Sequence, residues 1–187
     1  MNNTLVVNEI YLSIQGESTF AGLPCVFVRL TACNLRCSYC DTAYAFGEGK
    51  KLSLGEIHER IVELAKPFDG CATVRDAGVP PVHGRSGAMP CLSHSIRLPL
   101  VEVTGGEPLL QPATIPLTKA LCDDGFTVLV ETSGALDIAP LDPGVRRIVD
   151  LKCPSSGEVE RNRWENLPQL SGTDEIKFVI GTWEDYE

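Results

Sequence analysis

Short apolar, β-branched segments recur along the chain and are typical of buried strands. They are CVFVRL (25–30), LVEV (100–103), TVLVE (127–131), RIVDL (147–151) and EIKFVI (175–180). Between them, the near-helical spacing of apolar residues in LSLGEIHERIVELA (52–65) and ATIPLTKALCDDG (113–125) predicts two helices. Strands that alternate with helices predict an α/β fold with a largely parallel sheet.

The ends of the predicted helices carry recognisable signals. Ser53 and Glu56 match a capping box at the start of the first helix, and Gly125 is a typical stop for the second. The segment TWED (182–185) resembles a further capping box and predicts a helix there.

Small or polar residues follow each predicted strand directly. The segments are TACNLRC, TGGEP, ETSG, KCPSSG and GTWED. Because active-site groups of parallel α/β barrels collect at the C-terminal ends of the strands, we expect these segments to meet at one edge. Taken singly, each could be an ordinary turn.

Composition limits the class of protein. A chain of 187 residues with 43% hydrophobic and 22% charged residues suits one globular domain, and we predict a single domain over 1–187. A net charge of -9 argues against a nucleic-acid surface. No apolar run approaches membrane-helix length, and the N-terminus lacks signal-peptide features, so we predict a cytoplasmic protein without membrane contact. Its eight cysteines are then not a disulfide framework.

Three cysteines are clustered in CNLRCSYC, at Cys33, Cys37 and Cys40. Structural zinc needs four closed ligands, and the next candidates, His58 and Cys71, lie far along the chain. Three thiolates suit a [4Fe-4S] cluster with one iron open to a ligand. A coincidental cluster or an incomplete zinc site is the alternative.

The segment 66–99 interrupts the α/β pattern. It contains five prolines and four glycines, which predicts a flexible insertion. Cys71, His83, Cys91 and His94 lie within it, but their spacing matches no metal site that we recognise.

The pair CNLRCSYC (33–40) and TGGEP (104–108) resembles the signature of radical S-adenosylmethionine (SAM) enzymes. Further segments resemble the 7-carboxy-7-deazaguanine synthases within that class: EIYLSIQGES (9–18), FVRLTACNLRCSYCDT (27–42), TGGEPLLQ (104–111) and ETSG (131–134). The resemblance implies a partial, modified (β/α) barrel whose C-terminal unit is cut short.

The same resemblance implies a function and its cofactors. The expected reaction converts 6-carboxy-5,6,7,8-tetrahydropterin to 7-carboxy-7-deazaguanine with loss of ammonia, in queuosine biosynthesis. The expected cofactors are a [4Fe-4S] cluster, SAM and Mg2+. The expected partners are a second copy of the chain, forming a homodimer, and an electron donor such as flavodoxin or ferredoxin.

Residue by residue, the resemblance assigns Cys33, Cys37 and Cys40 to the cluster and Thr42 to Mg2+. It assigns SAM to Tyr39, Asp41, Gly105, Gly106, Glu107, Ser133 and Lys152. It assigns the substrate to Ile14, Gln15, Gly16, Glu17, Arg29 and Thr104. Chemically, Arg29 suits a substrate carboxylate, and a structural ion pair is the alternative. For Thr42, the alternative to a Mg2+ ligand is a helix cap.

Two other functions share some of these motifs. A glycyl-radical-enzyme activase carries the same cysteine and glycine motifs but has no use for SIQGE (13–17) or Arg29. A non-catalytic iron–sulfur or zinc protein would need a fourth closed ligand and no SAM.

Overall fold

A single mixed sheet organises the protein in the computed structural model, which describes residues 3–68 and 97–187. Its strands are β1 (Thr4–Ile14), β2 (Pro24–Leu30), β3 (Lys50–Ser53), β4 (Leu100–Gly105), β5 (Val128–Thr132), β6 (Arg146–Leu151) and β7 (Glu175–Phe178). The strand order is β3-β1-β2-β4-β5-β6-β7. Strands β2, β4, β5, β6 and β7 run parallel, whereas β1 is antiparallel to both of its neighbours. The fold is an open, partial barrel, which confirms the predicted fold class.

The described residues also form two α-helices, α1 (Leu54–Ala65) and α2 (Thr114–Asp123). Short 3-10 helices lie at Ala43–Phe46, Lys66–Phe68, Pro108–Leu110, Pro154–Ser156, Val159–Arg161 and Trp164–Gln169. In this part of the chain, neither α-helix has the length and apolar content that a membrane crossing requires.

The predicted helix signals are confirmed at α1 and α2. The Ser53 hydroxyl accepts from the Glu56 N–H (3.2 Å), and the Glu56 carboxylate accepts from the Ser53 N–H (2.8 Å), which completes the capping box. Gly125 follows α2 with a φ of 81°, a conformation that glycine adopts without strain.

The five predicted strands are confirmed, although β7 ends at Phe178, two residues before the predicted end. Strands β1 and β3 were not predicted. Polar residues interrupt the apolar pattern of β1 at Asn8 and Glu9, and β3 is only four residues long with two lysines. Their pairing comes from the antiparallel register with neighbouring strands and not from their own composition.

The predicted helix at TWED is wrong. Residues 182–186 form a bend and a turn. The Asp185 carboxylate accepts hydrogen bonds from the backbone N–H groups of Ser155 (2.8 Å), Gly181 (2.8 Å) and Thr182 (2.9 Å). This carboxylate therefore joins the segment to the loop after β6 and is not committed to a helix start.

Apart from its two ends, the predicted insertion at 66–99 lies outside the described residues. Cys71 and Cys91 also lie outside them. The insertion and the single-domain boundary therefore stay predictions.

The two faces of the parallel strands differ in chemistry. One face packs valines against the helices, among them Val28 of β2, Val103 of β4 and Val130 of β5, and forms the larger apolar core. The opposite face begins with a smaller apolar cluster that includes Leu100, Leu129 and Ile148. Further along the same strands, that face becomes polar, and the candidate site lies there.

The loop between β1 and β2 crosses to the far side of the open barrel. The Thr19 hydroxyl donates to the Glu175 carboxylate on β7 (2.6 Å), and the Thr19 N–H adds a second contact (3.1 Å). The Lys177 ammonium, also on β7, donates to the Glu17 carboxylate. These contacts place Gln15 and Glu17 over the face that carries the polar residues.

Asn166 fixes the loop that follows β5. Its side chain is fully buried, and it donates to the carbonyls of Gly134 (2.9 Å) and Leu136 (2.9 Å) and accepts from the Ile138 N–H (3.4 Å).

We expect Asn166→Ala to lower the free energy of unfolding by about 2–4 kcal/mol, because buried backbone groups lose their partners. Asn8→Ala removes one hydrogen bond to the Glu48 carbonyl and is the matched control. Urea unfolding measures both, and equal effects would contradict the assignment.

Candidate functional site

A cavity of about 430 Å3 lies at the edge where the parallel strands end, a volume typical of small-molecule sites. The predicted residues that line it are Gln15, Gly16, Glu17, Arg29, Cys33, Cys37, Tyr39, Cys40, Asp41, Thr42, Thr104, Gly105, Gly106, Ser133 and Lys152. Two predicted residues are not among the lining residues: Ile14 is 65% exposed, and Glu107 is fully buried. The strand ends therefore bring nearly all predicted residues into one space.

The three clustered cysteines lie on a loop that starts directly after β2. Backbone bonds fix the start of this loop, since Ala32 donates to the Ala45 carbonyl (3.0 Å) and accepts from the Glu107 N–H (2.8 Å). Further along, the Ser38 N–H donates to the Ser156 carbonyl (3.0 Å) and the Ser38 hydroxyl donates to the Ser155 carbonyl (2.6 Å). The segment after β4 thus holds the start of the loop, and the segment after β6 holds it at Ser38.

Ala32 adopts a φ of 77°, in the left-handed region that favours glycine. A residue with a side chain pays roughly 1–2 kcal/mol for this conformation. The strain is located immediately before Cys33, where the chain turns from the strand into the cysteine loop.

The glycine pair after β4 is required by the neighbouring backbone. A Cβ atom on Gly105 would lie 2.3 Å from the Leu30 carbonyl oxygen, and one on Gly106 would lie 2.1 Å from the Ala32 carbonyl oxygen. The sequence suggests close approach to a ligand, but the close approach seen here is between the end of β4 and the start of the cysteine loop. Both glycines still line the cavity.

Glu107 connects the ends of two strands. Its carboxylate accepts from the hydroxyl of Thr132 (2.8 Å), the last residue of β5, and from the N–H (2.8 Å) and hydroxyl (2.7 Å) of Ser133, the next residue. It also accepts from the Leu109 N–H (3.0 Å). These four bonds involve both carboxylate oxygens, so the geometry supports a role in positioning the TGGEP and ETSG segments.

The cysteines fit a cluster. Cys33, Cys37 and Cys40 are free thiols that all line the cavity. Within residues 3–68 and 97–187, no group of three or more His, Cys, Asp or Glu side chains is arranged around a single metal ion. An iron–sulfur cluster bonds its thiolates to different irons, so its ligands do not have to converge on one point.

Lys152 and Asp150 occupy the cavity wall beside the cysteine loop. The Lys152 ammonium donates to the Asp150 carboxylate (2.8 Å) and lies 6.0 Å from the Tyr39 ring centroid. Burial opposes the charge on Lys152, but Asp150 outweighs it and keeps the pKa of Lys152 above its ordinary value. The second Asp150 oxygen and the Tyr39 hydroxyl are buried without a hydrogen-bond partner in the described residues, as expected where a bound group supplies the partner.

Arg29 is oriented by two neighbours on β1. Its guanidinium donates to the Glu9 carboxylate (2.8 Å) and the Tyr11 hydroxyl (3.1 Å). Burial works against its charge, but these bonds outweigh it and keep the pKa of Arg29 above its ordinary value. The structural ion pair considered from the sequence is therefore present, and Arg29 also lines the cavity.

Thr42 precedes the 3-10 helix Ala43–Phe46 but its side chain makes no capping hydrogen bond. Its hydroxyl lies 3.8 Å from the Cys40 thiol and lines the cavity. The hydroxyl therefore does not act as the helix cap considered from the sequence and is available to a group bound in the cavity.

Three carboxylates and one lysine form a network at the other end of the cavity. The Lys177 ammonium donates to Glu131 (2.7 Å) and Glu17, and the Thr104 hydroxyl donates to Glu131 (3.2 Å). Burial opposes the charge on Lys177, but Glu131 and Glu17 outweigh it and raise the pKa of Lys177. Glu102, the third carboxylate, accepts a hydrogen bond from the Gln15 side-chain amide.

Several lining residues were missed from the sequence: Phe27, Leu35, Phe46, Glu102, Glu131, Thr132, Asp150, Lys177 and Val179. The period of two along a strand could have identified some of them. Glu102 stands two residues before Thr104, and Asp150 stands two residues before Lys152, so each shares a face with a predicted residue.

An open barrel of mainly parallel strands, with a three-cysteine loop at the C-terminal ends of those strands, is typical of the radical SAM class. Comparison with known proteins then identifies the family. A 7-carboxy-7-deazaguanine synthase of Koribacter versatilis is 43% identical over 182 residues, covering 97% of this chain and 67% of the relative. One from Chlorobaculum tepidum is 40% identical over 185 residues, covering 97% and 70%. The chain belongs to the 7-carboxy-7-deazaguanine synthase family.

A solved structure supports the fold. The crystal structure of QueE from Escherichia coli matches with a TM-score of 0.63 and 23% identity, covering 98% of this chain and 74% of that one. No family model matches the sequence.

Glu102 predicts a pH dependence of stability. Burial, together with the charge of Glu131, raises the pKa of Glu102 from 4.5 to about 7. The folded protein therefore holds this proton to a higher pH than the unfolded chain, and the free energy of unfolding falls as the pH rises between these values. Glu102→Gln removes the titrating group but keeps an oxygen that can accept from Gln15. We therefore expect the free energy of unfolding of this variant to fall less with rising pH, by up to about 3 kcal/mol.

Urea unfolding at pH 5 and pH 8 measures the effect. Glu59→Gln makes the same chemical change at an exposed position of α1 and is the control. If the free energy of unfolding of Glu102→Gln fell between pH 5 and pH 8 as much as that of the original protein, Glu102 would not be the group responsible.

Proposed function

We propose that this protein converts 6-carboxy-5,6,7,8-tetrahydropterin to 7-carboxy-7-deazaguanine and ammonia by radical SAM chemistry. The observation that carries the proposal is that the cysteine loop, the TGGEP and ETSG segments and the SIQGE loop all contribute to one cavity. Membership of the 7-carboxy-7-deazaguanine synthase family supports it. The reaction needs no external oxidant, because substrate and products differ only by the release of NH3.

Cys33, Cys37 and Cys40 would hold the cluster, with SAM beside it. When bound, the cluster and SAM supply an electron and a 5′-deoxyadenosyl radical. Lys152, held by Asp150, provides a cation for the SAM carboxylate, and Tyr39 offers a ring and an unpartnered hydroxyl next to it.

The substrate would lie between the cysteine loop and the carboxylate network. Arg29 offers a guanidinium to the substrate carboxylate. Thr42 offers a hydroxyl to Mg2+, which keeps most of its own water and takes few protein ligands. Gln15 and Glu17, held by their contacts to β4 and β7, line the same cavity as Arg29.

The proposal extends to the surroundings of the enzyme. It includes a homodimer in the cytoplasm and a small redox protein such as flavodoxin or ferredoxin as electron donor. These parts rest on the family resemblance.

The direct test is anaerobic reconstitution with iron and sulfide, followed by incubation with SAM, Mg2+, a reductant and the pterin. We expect 7-carboxy-7-deazaguanine and ammonia in equal amounts. Cys37→Ala should lose the cluster and the product, whereas Cys122→Ala, away from the cavity, should keep both. SAM cleavage without pterin turnover would instead favour an activase, and a cluster without SAM cleavage would favour a non-catalytic iron–sulfur protein.

Arg29→Ala should separate substrate binding from cofactor chemistry. Loss of a charge-assisted contact of roughly 2–4 kcal/mol lowers kcat/KM for the pterin by about 30- to 1000-fold. SAM cleavage without substrate and iron content should change by less than about twofold. Steady-state kinetics and iron analysis measure these quantities.

Glu9→Gln is the control, since it removes the ion pair and leaves the guanidinium in place. If Glu9→Gln reduced kcat/KM as strongly as Arg29→Ala, the ion pair and not the substrate contact would explain the loss.

A further inference from the structure

Glu102 is a buried carboxylate in the middle of a central strand. It is 3% exposed, and it lines the cavity. Its register partners on the neighbouring strands are Phe27 of β2 and Leu129 of β5, both apolar. Central strands of parallel sheets are normally apolar, because a carboxylate buried there is costly without partners.

No cation neutralises Glu102 directly in the described residues. Lys177 is the basic group whose charge reaches it, but the Lys177 ammonium donates to Glu131 and Glu17. Glu131 and Glu17 are the other charged groups that face it, and both repel its charge. An ion pair therefore does not explain the presence of a carboxylate at this position.

The hydrogen bonds of Glu102 are incomplete. Its Oε2 atom accepts from the Gln15 side-chain amide, and its Oε1 atom has no partner within residues 3–68 and 97–187. The side-chain oxygen of Gln15 is itself engaged, because it accepts from the Glu17 N–H (3.1 Å). Glu102 thus presents its free Oε1 atom to the cavity. Beside it, the Gln15 side-chain amide is held in one orientation, because both its nitrogen and its oxygen are hydrogen-bonded.

A free carboxylate oxygen selects a ligand edge that donates hydrogen bonds. The aminopyrimidinone edge of a pterin presents N–H groups from its 2-amino group and from the adjacent ring nitrogen. We propose that Glu102 binds this edge of the substrate through its free oxygen, while its other oxygen positions the Gln15 amide. This inference rests on the proposed function and names the group that selects a 2-aminopterin.

The ionisation of Glu102 supports this role. Burial raises the pKa of Glu102 to about 7, so the carboxyl is partly protonated at neutral pH. Hydrogen bonds donated by a ligand favour the ionised form. Pterin affinity should therefore rise as the pH increases through about 7.

The test compares two ligands that differ only at this edge. The probes are 6-carboxypterin and 6-carboxylumazine, in which a carbonyl oxygen replaces the 2-amino group. Their dissociation constants are measured by equilibrium dialysis with the anaerobically reconstituted full chain and SAM at pH 7.5. We expect a preference of roughly 10- to 100-fold for the pterin, because a carbonyl facing the carboxylate leaves two acceptors opposed.

Glu102→Gln should reduce the preference to less than about threefold or reverse it, because an amide can donate to the lumazine carbonyl. The rise in pterin affinity with pH should disappear in the same variant. Glu59→Gln, with the same change on the exposed face of α1, should keep both properties. A purely structural role of Glu102 would weaken both ligands equally and leave their ratio unchanged.

A full pterin preference in Glu102→Gln would overturn the proposal. If Glu102→Gln does not load the cluster, Glu102→Asp replaces it. This variant should keep the preference for the pterin and lose about tenfold or more in affinity; undiminished affinity would overturn the proposal. Failure of the unmodified enzyme to bind either ligand would instead overturn the proposed function, and with it this inference.

Discussion

The site depends on one buried carboxylate. Glu107 has no solvent exposure, and three of the four hydrogen bonds that its carboxylate accepts connect the segment after β4 to the end of β5. Its own N–H donates to the Ala32 carbonyl at the start of the cysteine loop. One residue therefore fixes the relative positions of three strand ends, and the cavity wall that includes Cys33 and Ser133 follows from them.

This arrangement explains how far the sequence could predict the molecule. The parallel strands and both α-helices follow from apolar periodicity and capping signals, which are local properties. Strands β1 and β3 do not, because their pairing is set by register with distant partners. The TWED segment shows the opposite failure, since a good local helix signal is overridden when Asp185 binds the backbone of Ser155.

The candidate site shows the same division. The motif residues could be located from the sequence, and most of them line one cavity. The motif could not show that Glu107 is fully buried and is not among the lining residues, whereas the glycines beside it line the cavity. Glu102 and Lys177 were missed because their partners, Gln15 and Glu17, lie 87 and 160 residues away in sequence. Only the tertiary fold brings such groups together.

The loop between β1 and β2 closes the cavity on the side of β7 through side-chain contacts. A closed barrel has a circumference set by backbone hydrogen bonds between its first and last strands. Here side chains make the closing contacts, from Thr19 and Glu17 to Glu175 and Lys177 on β7. Side chains can change rotamer at little cost, whereas strand pairing cannot change without shifting a whole register. The described residues therefore close the enclosure at this seam through side-chain contacts, whereas backbone pairing sets the spacing of the strands that carry the cysteine loop and the glycines.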